Sequence, residues 1–280
     1  MKYPKNLILS PEEISILRLP EKFPATKVAE KIRIPLKSNV KDRIDLAITP
    51  YLYFPLSLKG KKGVDWVYLI APTQSAKTVF LQIVVADEID QSPGTLVYIL
   101  PDRVSARKAL KEKLIPMILL TPDLRKHTVG NITRSLNLEA ITLDNMSLYP
   151  AWAGSLASLS SIPAKTVVLD EIRLMGLSIG AESNAIKLAN DRLTTYRSFG
   201  LAQGFGVSTP SVEKDLLHQQ VTNPKHIMLD WHIQCPSCKK YQLLDFFKSI
   251  HRNKITDKAE CSCKFCNFVF DDTDNKVAMN

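Results

Sequence analysis

The sequence predicts an α/β protein in which helices flank a mostly parallel β-sheet, followed by a small cysteine-rich module. Apolar, strand-like runs alternate with helical patterns along residues 61–230, an order typical of parallel sheets covered on both faces. All five cysteines lie after residue 234, where the chain changes to short polar pieces. The 280 residues, 45% of them apolar, suffice to bury a sizeable core.

Three segments are expected along the chain. Residues 1–60 are rich in proline and basic residues, with short helical patches such as EEISILRL, and predict an irregular entry segment. Residues 61–230 are expected to form the α/β domain, and residues 231–280 the cysteine module. No apolar run approaches the ~18–20 residues that span a bilayer, and the N-terminus lacks the features of a signal peptide. We therefore expect no membrane partner.

Strands and helices alternate in order through the α/β domain. The predicted strands are VDWVYLIA, TLVYILP, a hairpin strand in NLEAITLD, AKTVVLDE and a last strand that ends at FGVSTP. The predicted helices are KTVFLQIVVADEI, DRVSARKALKEKLIPMIL and ESNAIKLANDRLTTYRSF. The basic turn LKGKKG leads into the first strand.

The loop after the first strand has the layout of a phosphate-binding loop. APTQSAKT aligns with G-x-x-x-x-G-K-[ST], with Ala71 and Ala76 at the two glycine positions. Such loops turn backbone N–H groups onto phosphates at a helix N-terminus. Lys77 would reach the β- and γ-phosphates, and the Thr78 hydroxyl would ligate Mg²⁺. The predicted ATP-binding residues are Thr73, Gln74, Ser75, Ala76, Lys77 and Thr78. An ordinary turn is the alternative, because alanine lacks the conformational freedom of glycine.

Two carboxylates end the strand TVVLDE. Asp170 is placed to hold Mg²⁺, and Glu171 to orient or deprotonate the attacking water. An acid pair at the end of a buried strand is costly unless it meets a cation. Glu171 and Lys77 are therefore the predicted catalytic residues, and a solvated strand end is the alternative.

Further polar residues follow these motifs. Ser208 and Thr209, in V-S-T-P, are candidates to sense the γ-phosphate and couple it to another surface; a plain turn is the alternative. Arginines after the acid pair could neutralise transition-state charge or form surface ion pairs: these are Arg173, Arg192 and Arg197. Tyr51 is a candidate for the adenine pocket.

The cysteines form C-x₂-C … C-x₂-C with 24 residues between the pairs. Four thiolates at this spacing can close a tetrahedron around a structural Zn²⁺: the predicted ligands are Cys235, Cys238, Cys263 and Cys266. Cys261 is an alternative to Cys263, which the x₂ spacing favours. His232 and His251 are weaker alternatives.

The ordered set of motifs resembles the ATPase part of the tailed-bacteriophage terminase large subunit, in its GpA-like branch with a zinc-binding insertion. The resemblance extends over residues 25–270 and rests on the segments TQSAKT, LVYILPDRVSARKALKEKLIPMILLTPDLR, WAGSLASLSSIPAKTVVLDE, NDRLTTYRSFG, GVSTPS and DWHIQCPSCKKYQLLDF. Two positions depart from the family pattern: Ala76 replaces a usual glycine, and Ile172-Arg173 follow the acid pair where an acidic residue is frequent.

The resemblance implies a P-loop NTPase that uses ATP and Mg²⁺ to drive double-stranded DNA into a capsid. It matches Lys77 and Thr78 to the phosphate loop, Asp170 and Glu171 to the metal and water carboxylates, and residues 208–210 to the coupling motif. The implied partners are the portal protein, the small terminase subunit and further copies in a ring, in the host cytoplasm and transiently at the portal vertex. Because 14 residues follow Cys266, we expect no nuclease activity from this chain.

The charge of the chain agrees with a nucleic-acid partner. Lys and Arg total 37 against 28 acidic residues, for a net charge of +9, and such a surplus favours a polyanion. Lys108, Lys111 and Lys113 are candidates to contact the DNA backbone; a solvated helix face is the alternative. Two rival functions are a helicase-like nucleic-acid ATPase and a zinc-ribbon DNA-binding or assembly protein with an inactive nucleotide fold.

Overall fold

The computed structural model describes residues 22–35, 42–154, 162–176, 184–210, 213, 215–245, 249–254, 257 and 259–270. The predicted helical patch EEISILRL lies outside these ranges. Within them, none of the helices has the length and apolar character needed to cross a bilayer.

A six-stranded sheet forms the centre of the α/β part. Its strands are β1 (Trp66–Ile70), β2 (Leu96–Leu100), β3 (Ile141–Thr142), β4 (Ser147–Trp152), β5 (Thr166–Asp170) and β6 (Gln203–Ser208). The order is β1-β6-β5-β2-β4-β3. Every neighbouring pair is parallel except β3 and β4. The predicted mostly parallel α/β architecture is therefore confirmed.

Helices cover both faces of this sheet. They are α1 (Ala25–Lys31), α2 (Tyr53–Ser57), α3 (Lys77–Asp90), α4 (Arg103–Ala109), α5 (Ile115–Leu120), α6 (Pro122–Arg125), α7 (Ile132–Ser135), α8 (Ala185–Arg192), α9 (Thr194–Arg197) and α10 (Leu216–Val221). Short 3₁₀ turns span Leu46–Ile48, Pro50–Leu52 and Ile172–Leu174, and a π-helical turn spans Leu110–Leu114.

The alternation of side chains along the strands produces two cores. Tyr98, Val168 and Phe205 face the core shared with α1, α3, α4 and α5. Val97 and Val167 face the core shared with α8 and α10. Strands β2, β5 and β6 are buried along their whole length, as expected for parallel strands covered on both sides.

Residues before β1 also contribute to the first core. The buried side chains of Val28, Leu46, Leu52 and Leu56 pack there. The basic turn that precedes β1 is held by the buried side chain of Gln203. Its amide accepts from the backbone N–H of Gly60 at 2.8 Å and donates to the carbonyls of Leu58 and Val64 at 2.9 and 3.0 Å.

Two predicted helices are interrupted. The segment DRVSARKALKEKLIPMIL forms α4, the π-helical turn and α5 in succession. Pro116, in the first turn of α5, cannot donate a backbone hydrogen bond and disfavours an unbroken α-helix. The described part of the segment ESNAIKLANDRLTTYRSF, from residue 184 onward, splits at Leu193 into α8 and α9, and its first two residues lie outside the described ranges.

Strand β4 was missed by sequence reasoning. It contains Pro150, which pairs in register with Tyr98 of β2, and a proline inside a run argues against a strand. The predicted hairpin in NLEAITLD is present as β3 paired with β4.

A buried cluster of four charges joins α3 to the sheet. Lys59 Nζ lies 2.7 Å from both Asp87 Oδ2 and Glu88 Oε1, and Lys165 Nζ lies 3.0 Å from Glu88 Oε2. Lys165 Nζ also donates to Ser92 Oγ at 2.6 Å. The two ammonium groups and two carboxylates balance, which is what buried charges require.

The cysteine-rich part contains two small sheets. One pairs β7 (Ile233–Gln234) with β8 (Tyr241–Gln242), and the other has the order β11-β10-β9. The strands of the second are β9 (Ile250–Arg252), β10 (Ala259–Ser262) and β11 (Val269–Phe270).

Candidate functional site

The loop between β1 and α3 lies at the carboxyl end of the sheet. Gln74 and Ala76 have φ of +61° and +54°, in the left-handed region that costs a non-glycine residue about 1–2 kcal/mol. Ala71 is not in this conformation. Of the two alanines at the glycine positions, only Ala76 therefore bears the backbone strain that a glycine would relieve.

Lys77 is the first residue of α3, and its side chain is folded back over the loop. The residue is 6% exposed. Its Nζ donates to the carbonyls of Ala71 at 3.1 Å and Pro72 at 2.5 Å. The hydroxyl of Ser75 donates to the same Pro72 carbonyl at 2.6 Å. The loop thus holds an ammonium group at the start of a 14-residue helix.

The predicted acid pair ends β5, two strands from β1. Asp170 is 4% exposed, and its Oδ2 accepts a 3.0 Å hydrogen bond from the hydroxyl of Tyr98. Burial raises the pKa of Asp170 above its ordinary value, against the opposing effects of the nearby Lys113 charge and the Tyr98 hydrogen bond. A carboxyl group in this setting is stabilised in its ionised form by a cation.

Glu171 leaves the strand in a left-handed backbone conformation, with φ of +57°. Its Oε2 lies 3.5 Å from Arg173 Nε. That oxygen is buried and has no hydrogen-bond partner among the described residues. The carboxylate of Glu171, the residue after Asp170, can therefore accept a further hydrogen bond.

Strand β6 lies between β1 and β5 and connects the two motifs. The carbonyl of Ser208 accepts from the N–H of Ala71 at 3.1 Å, and the Ser208 hydroxyl accepts from the N–H of Arg173 at 3.1 Å. Thr209 follows with a buried Oγ1 that lacks a hydrogen-bond partner in the described parts of the chain. Ser208 thus touches both the phosphate-type loop and the turn after the acid pair.

A second lysine reaches this site. Lys113 Nζ donates to Thr78 Oγ1 at 3.4 Å, whereas Lys108 and Lys111 are exposed. Sequence reasoning grouped the three lysines as candidates for DNA contact. Nothing in a helical pattern distinguishes Lys113, because its direction depends on how the helix crosses the sheet.

The oxygen donors of Thr78 and Asp170 fit a magnesium ion. Hydroxyl and carboxylate oxygens are the ligands that this hard cation takes. The Lys113 ammonium contacts Thr78, and its charge acts on Asp170. A positive charge is therefore already accommodated next to one of the two residues and within electrostatic reach of the other.

The three predicted arginines lie in different places. Arg173 is the one beside the acid pair. Arg192 ends α8. Arg197 donates to Asn190 Oδ1 at 2.7 Å and lies 3.4 Å from Asp65, next to the start of β1.

Tyr51 also contacts the loop. Its hydroxyl donates to the carbonyl of Ser75 at 3.0 Å, and its ring meets Trp231 edge-on, with ring centroids 6.1 Å apart. Trp231 precedes the first cysteine pair. An aromatic wall therefore adjoins the loop on the side of the cysteine module.

The four cysteines of the two C-x₂-C pairs converge. The sulfurs of Cys235 and Cys266 are 3.8 Å apart, as are those of Cys238 and Cys263, and all four lie within 4.8 Å of one another. A tetrahedral zinc with Zn–S bonds of about 2.3 Å requires S···S separations of about 3.8 Å. The donor set and its spacing therefore fit zinc.

The two pairs have the same local geometry. The residue after each second cysteine, Lys239 or Asn267, has a positive φ, and its N–H donates to the carbonyl of the first cysteine of its pair at 2.9 Å. Burial raises the pKa of Cys263, but the backbone N–H groups of Phe265 and Cys266 and the thiols of Cys235 and Cys266 outweigh it and lower the pKa to about 7. At Cys238 the N–H of Lys240 lowers the pKa, but burial and the other three thiols raise it to about 11. The metal-free group thus favours a thiolate at Cys263 and a thiol at Cys238.

The alternative ligands lie elsewhere. Cys261 is in β10 and does not belong to the group of four, and burial raises its pKa. His232 and His251 are exposed; the Nε2 of His251 lies 3.9 Å from Glu260.

Comparison with known proteins gives one family and a set of similar folds. The family model for the phage terminase large subunit gpA, ATPase domain, matches residues 38–280. No curated protein matches. The crystal structure of the HK97 bacteriophage large terminase is similar with a TM-score of 0.52 and 16% identity, over 69% of this chain and 39% of that chain. The chain thus spans about two fifths of that terminase, and at this identity the likeness concerns the fold alone.

A second solved structure shows a weaker likeness. The large terminase ATPase domain of Thermus phage P74-26 is similar with a TM-score of 0.43 and 14% identity, over 57% of this chain and 65% of that chain.

Proposed function

The chain belongs to the family of phage terminase large subunit gpA ATPase domains, and from this premise we propose that it hydrolyses ATP to drive double-stranded DNA into a capsid. The family implies ATP hydrolysis with nucleotide and Mg²⁺. One observation supports the predicted motif residues as the ATP site. Ser208 is hydrogen-bonded both to the loop before Lys77 and to the turn after Glu171.

We propose a P-loop function for residues 73–78. The backbone N–H groups of this segment would cradle the phosphates of ATP at the start of α3. The ammonium of Lys77, held by two loop carbonyls, would exchange those carbonyls for β- and γ-phosphate oxygens. Tyr51, bound to Ser75, would provide a wall for the adenine ring.

Thr78 and Asp170 would hold Mg²⁺. When bound, the ion neutralises charge on the β- and γ-phosphates. The buried position of Asp170 and its hydrogen bond from Tyr98 fix one carboxylate orientation. The carboxylate would therefore bind the ion without changing its rotamer.

Glu171 is the proposed base for the attacking water. Its left-handed backbone turns the side chain away from the line of β5, and its Oε2 has no hydrogen-bond donor among the described residues. Such an oxygen can accept the proton of a water positioned beside the γ-phosphate. Arg173, 3.5 Å away, would orient the carboxylate and compensate charge that develops in the transition state.

Ser208 and Thr209 are the proposed coupling residues. A shift of the acid turn or of the phosphate loop moves a hydrogen-bond partner of Ser208. The buried Thr209 hydroxyl has no hydrogen-bond partner among the described residues, and a state that supplies one would be favoured over a state that does not. A change in the phosphates of the bound nucleotide would thereby be transmitted to the residues that follow β6.

The partners follow from the proposed role. Double-stranded DNA would meet exposed basic residues such as Lys108 and Lys111 through its phosphates, without reading sequence. The portal protein, the small terminase subunit and further copies in a ring would complete the assembly, in the host cytoplasm and at the portal vertex. Residues 61–230 would be the motor domain and residues 231–280 a zinc-ribbon module held by Cys235, Cys238, Cys263 and Cys266.

The strain at Ala76 favours one rival, a zinc-containing DNA-binding or assembly protein with an inactive nucleotide fold. ATP hydrolysis separates it from the motor. We would measure steady-state hydrolysis and binding of ATP for wild type, Glu171→Gln and the exposed control Glu30→Gln, with and without double-stranded DNA.

Turnover that is lost in Glu171→Gln while ATP binding persists is the expected result. Absence of ATP binding in wild type would overturn the nucleotide site. Separation of DNA strands, rather than movement along duplex DNA, would favour a helicase-like enzyme.

A further inference from the structure

Lys113 is a charged residue at the proposed metal site to which the family motifs assign no role. It lies in the π-helical turn Leu110–Leu114, between α4 and α5. Its side chain is half-buried and its Nζ donates to Thr78 Oγ1 at 3.4 Å. A helix from the β2–β4 side of the sheet therefore delivers an ammonium group to the first turn of α3.

The same ammonium is the strongest positive influence on Asp170. Burial is the largest effect on the pKa of that carboxyl group and raises it; the Lys113 charge comes next and lowers it, ahead of the Lys77 charge. Lys77 instead donates to carbonyls of its own loop. Lys113 therefore contacts Thr78 and lies close enough to Asp170 for its charge to act on that carboxylate.

The backbone explains why this lysine turns inward. Successive side chains lie about 100° apart around an α-helix, and a π-helical turn changes this angle for the residues within it as well as for those after it. Lys111, in the same turn, is exposed, whereas Lys113 and the buried Leu114 face the sheet side. Turns of this kind occur often at functional sites.

We propose that Lys113 is an exchangeable counter-ion of the pair Thr78–Asp170, occupying their neighbourhood when no divalent cation is bound and yielding to Mg²⁺ when it is. This inference rests on the proposed nucleotide site. A buried carboxylate needs a cation, and a lysine ammonium is a compact charge on a flexible stem that can withdraw. Lys113 would repel an arriving Mg²⁺ but attract the phosphates of metal-free ATP.

Both effects act in the same direction on one measurable ratio. Removing the Lys113 charge weakens binding of ATP without metal, because a phosphate-attracting charge is lost. The same change favours binding of ATP with Mg²⁺, because the repulsion between the Lys113 ammonium and the metal ion is removed. The ratio of the dissociation constant in EDTA to that in excess Mg²⁺ should therefore rise.

The experiment measures binding of a fluorescent ATP analogue in EDTA and in excess MgCl₂. The variants are Lys113→Met, Lys113→Gln and Lys113→Arg, with Lys187→Met, at an exposed lysine of α8, as the control. We expect the ratio to rise about tenfold in Lys113→Met and Lys113→Gln, as for loss of one partly screened charge near the ligand. It should stay near the wild-type value in Lys113→Arg and Lys187→Met.

The outcomes separate the two proposals. If wild type binds the analogue but the ratio is unchanged in both neutral variants, Lys113 is not a counter-ion of the site, and the nucleotide site stands. If wild type binds no nucleotide under either condition, the site fails and the role of Lys113 fails with it. A neutral variant that folds but has lost only packing would bind more weakly under both conditions. Both dissociation constants would then rise by the same factor and their ratio would stay unchanged, which also counts against the proposal.

Discussion

The hydroxyl of Ser208 accepts a 3.1 Å hydrogen bond from the backbone N–H of Arg173, two residues after Glu171. The carbonyl of the same serine accepts from Ala71, where the loop leaves β1. One residue at the end of β6 thus connects the two sequence motifs, which lie about a hundred residues apart along the chain. This connection requires β6 to lie between β1 and β5, as it does.

Replacing Ser208 by alanine should separate hydrolysis from coupling. The change leaves the Arg173 N–H without its acceptor, which should lower the unfolding free energy by about 1–2 kcal/mol. We expect ATP affinity to change by less than about twofold, since no phosphate contact is removed, while DNA-stimulated hydrolysis falls. Urea unfolding and hydrolysis with and without duplex DNA measure these effects.

Ser198→Ala is the control for that prediction. Ser198 is exposed, and its hydroxyl bonds only locally, to the Thr195 carbonyl at 2.7 Å. A Ser208→Ala protein that is stimulated by DNA as strongly as Ser198→Ala would refute the coupling role.

The two alanines of the loop should respond differently to glycine. Ala76→Gly relieves about 1–2 kcal/mol of left-handed strain, which offsets the extra entropy of glycine in the unfolded chain, about 0.5–1 kcal/mol. Ala71→Gly adds the same entropy to the unfolded chain but relieves no backbone strain in the folded protein. Thermal or urea unfolding should therefore place Ala76→Gly at or above wild-type stability and Ala71→Gly below it. Equal shifts in the two variants would contradict the backbone assignment.

Local features of the site were predictable from sequence because they depend on neighbours along the chain. The apolar runs before Ala71 and Asp170 form β1 and β5, and Lys77 begins a helix. The loop conformation agrees with this: the second glycine position of the pattern, Ala76, has the positive φ that explains why glycine is usual there.

Features that depend on packing between distant elements were not predictable. A helical pattern does not reveal that a π-helical turn points Lys113 at Thr78. Strand β4 was missed because Pro150 argues against a strand, while its partner β2 supplies the pairing that a single sequence does not display. The position of β6 between β1 and β5 is likewise a property of the sheet as a whole.

Zinc content should distinguish Cys263 from Cys261. Cys263 belongs to the four converging sulfurs and Cys261 does not. We expect Cys263→Ala to lose most of one zinc equivalent and to loosen the cysteine-rich part, because a structural zinc contributes directly to folding. Cys261→Ala should retain the metal. Elemental analysis of the purified variants measures this, and zinc loss in Cys261→Ala instead would reassign the third ligand.

Removing Lys59 should destabilise the protein strongly, and the effect should depend on pH. Lys59→Met leaves Asp87 and Glu88 buried with Lys165 as the remaining counter-charge among the described residues. Breaking a buried ion pair by removing one partner costs about 3–5 kcal/mol. Lys61→Met, at an exposed lysine of the same turn, should cost less than about 0.5 kcal/mol.

The sign of the pH effect follows from Asp87. Burial already raises the pKa of this carboxyl group, against the charge of Lys59, and losing Lys59 raises it further. An acid whose folded pKa lies above its unfolded value destabilises the fold fully above the folded pKa; this loss shrinks as the pH falls through the folded pKa and is gone below the unfolded pKa. The gap in unfolding free energy between Lys59→Met and wild type should therefore narrow as the pH is lowered from 7 through the folded pKa of Asp87. Urea unfolding across this range measures the gap, and a gap that is constant or widens on acidification would show that the lysine contributes through packing rather than charge.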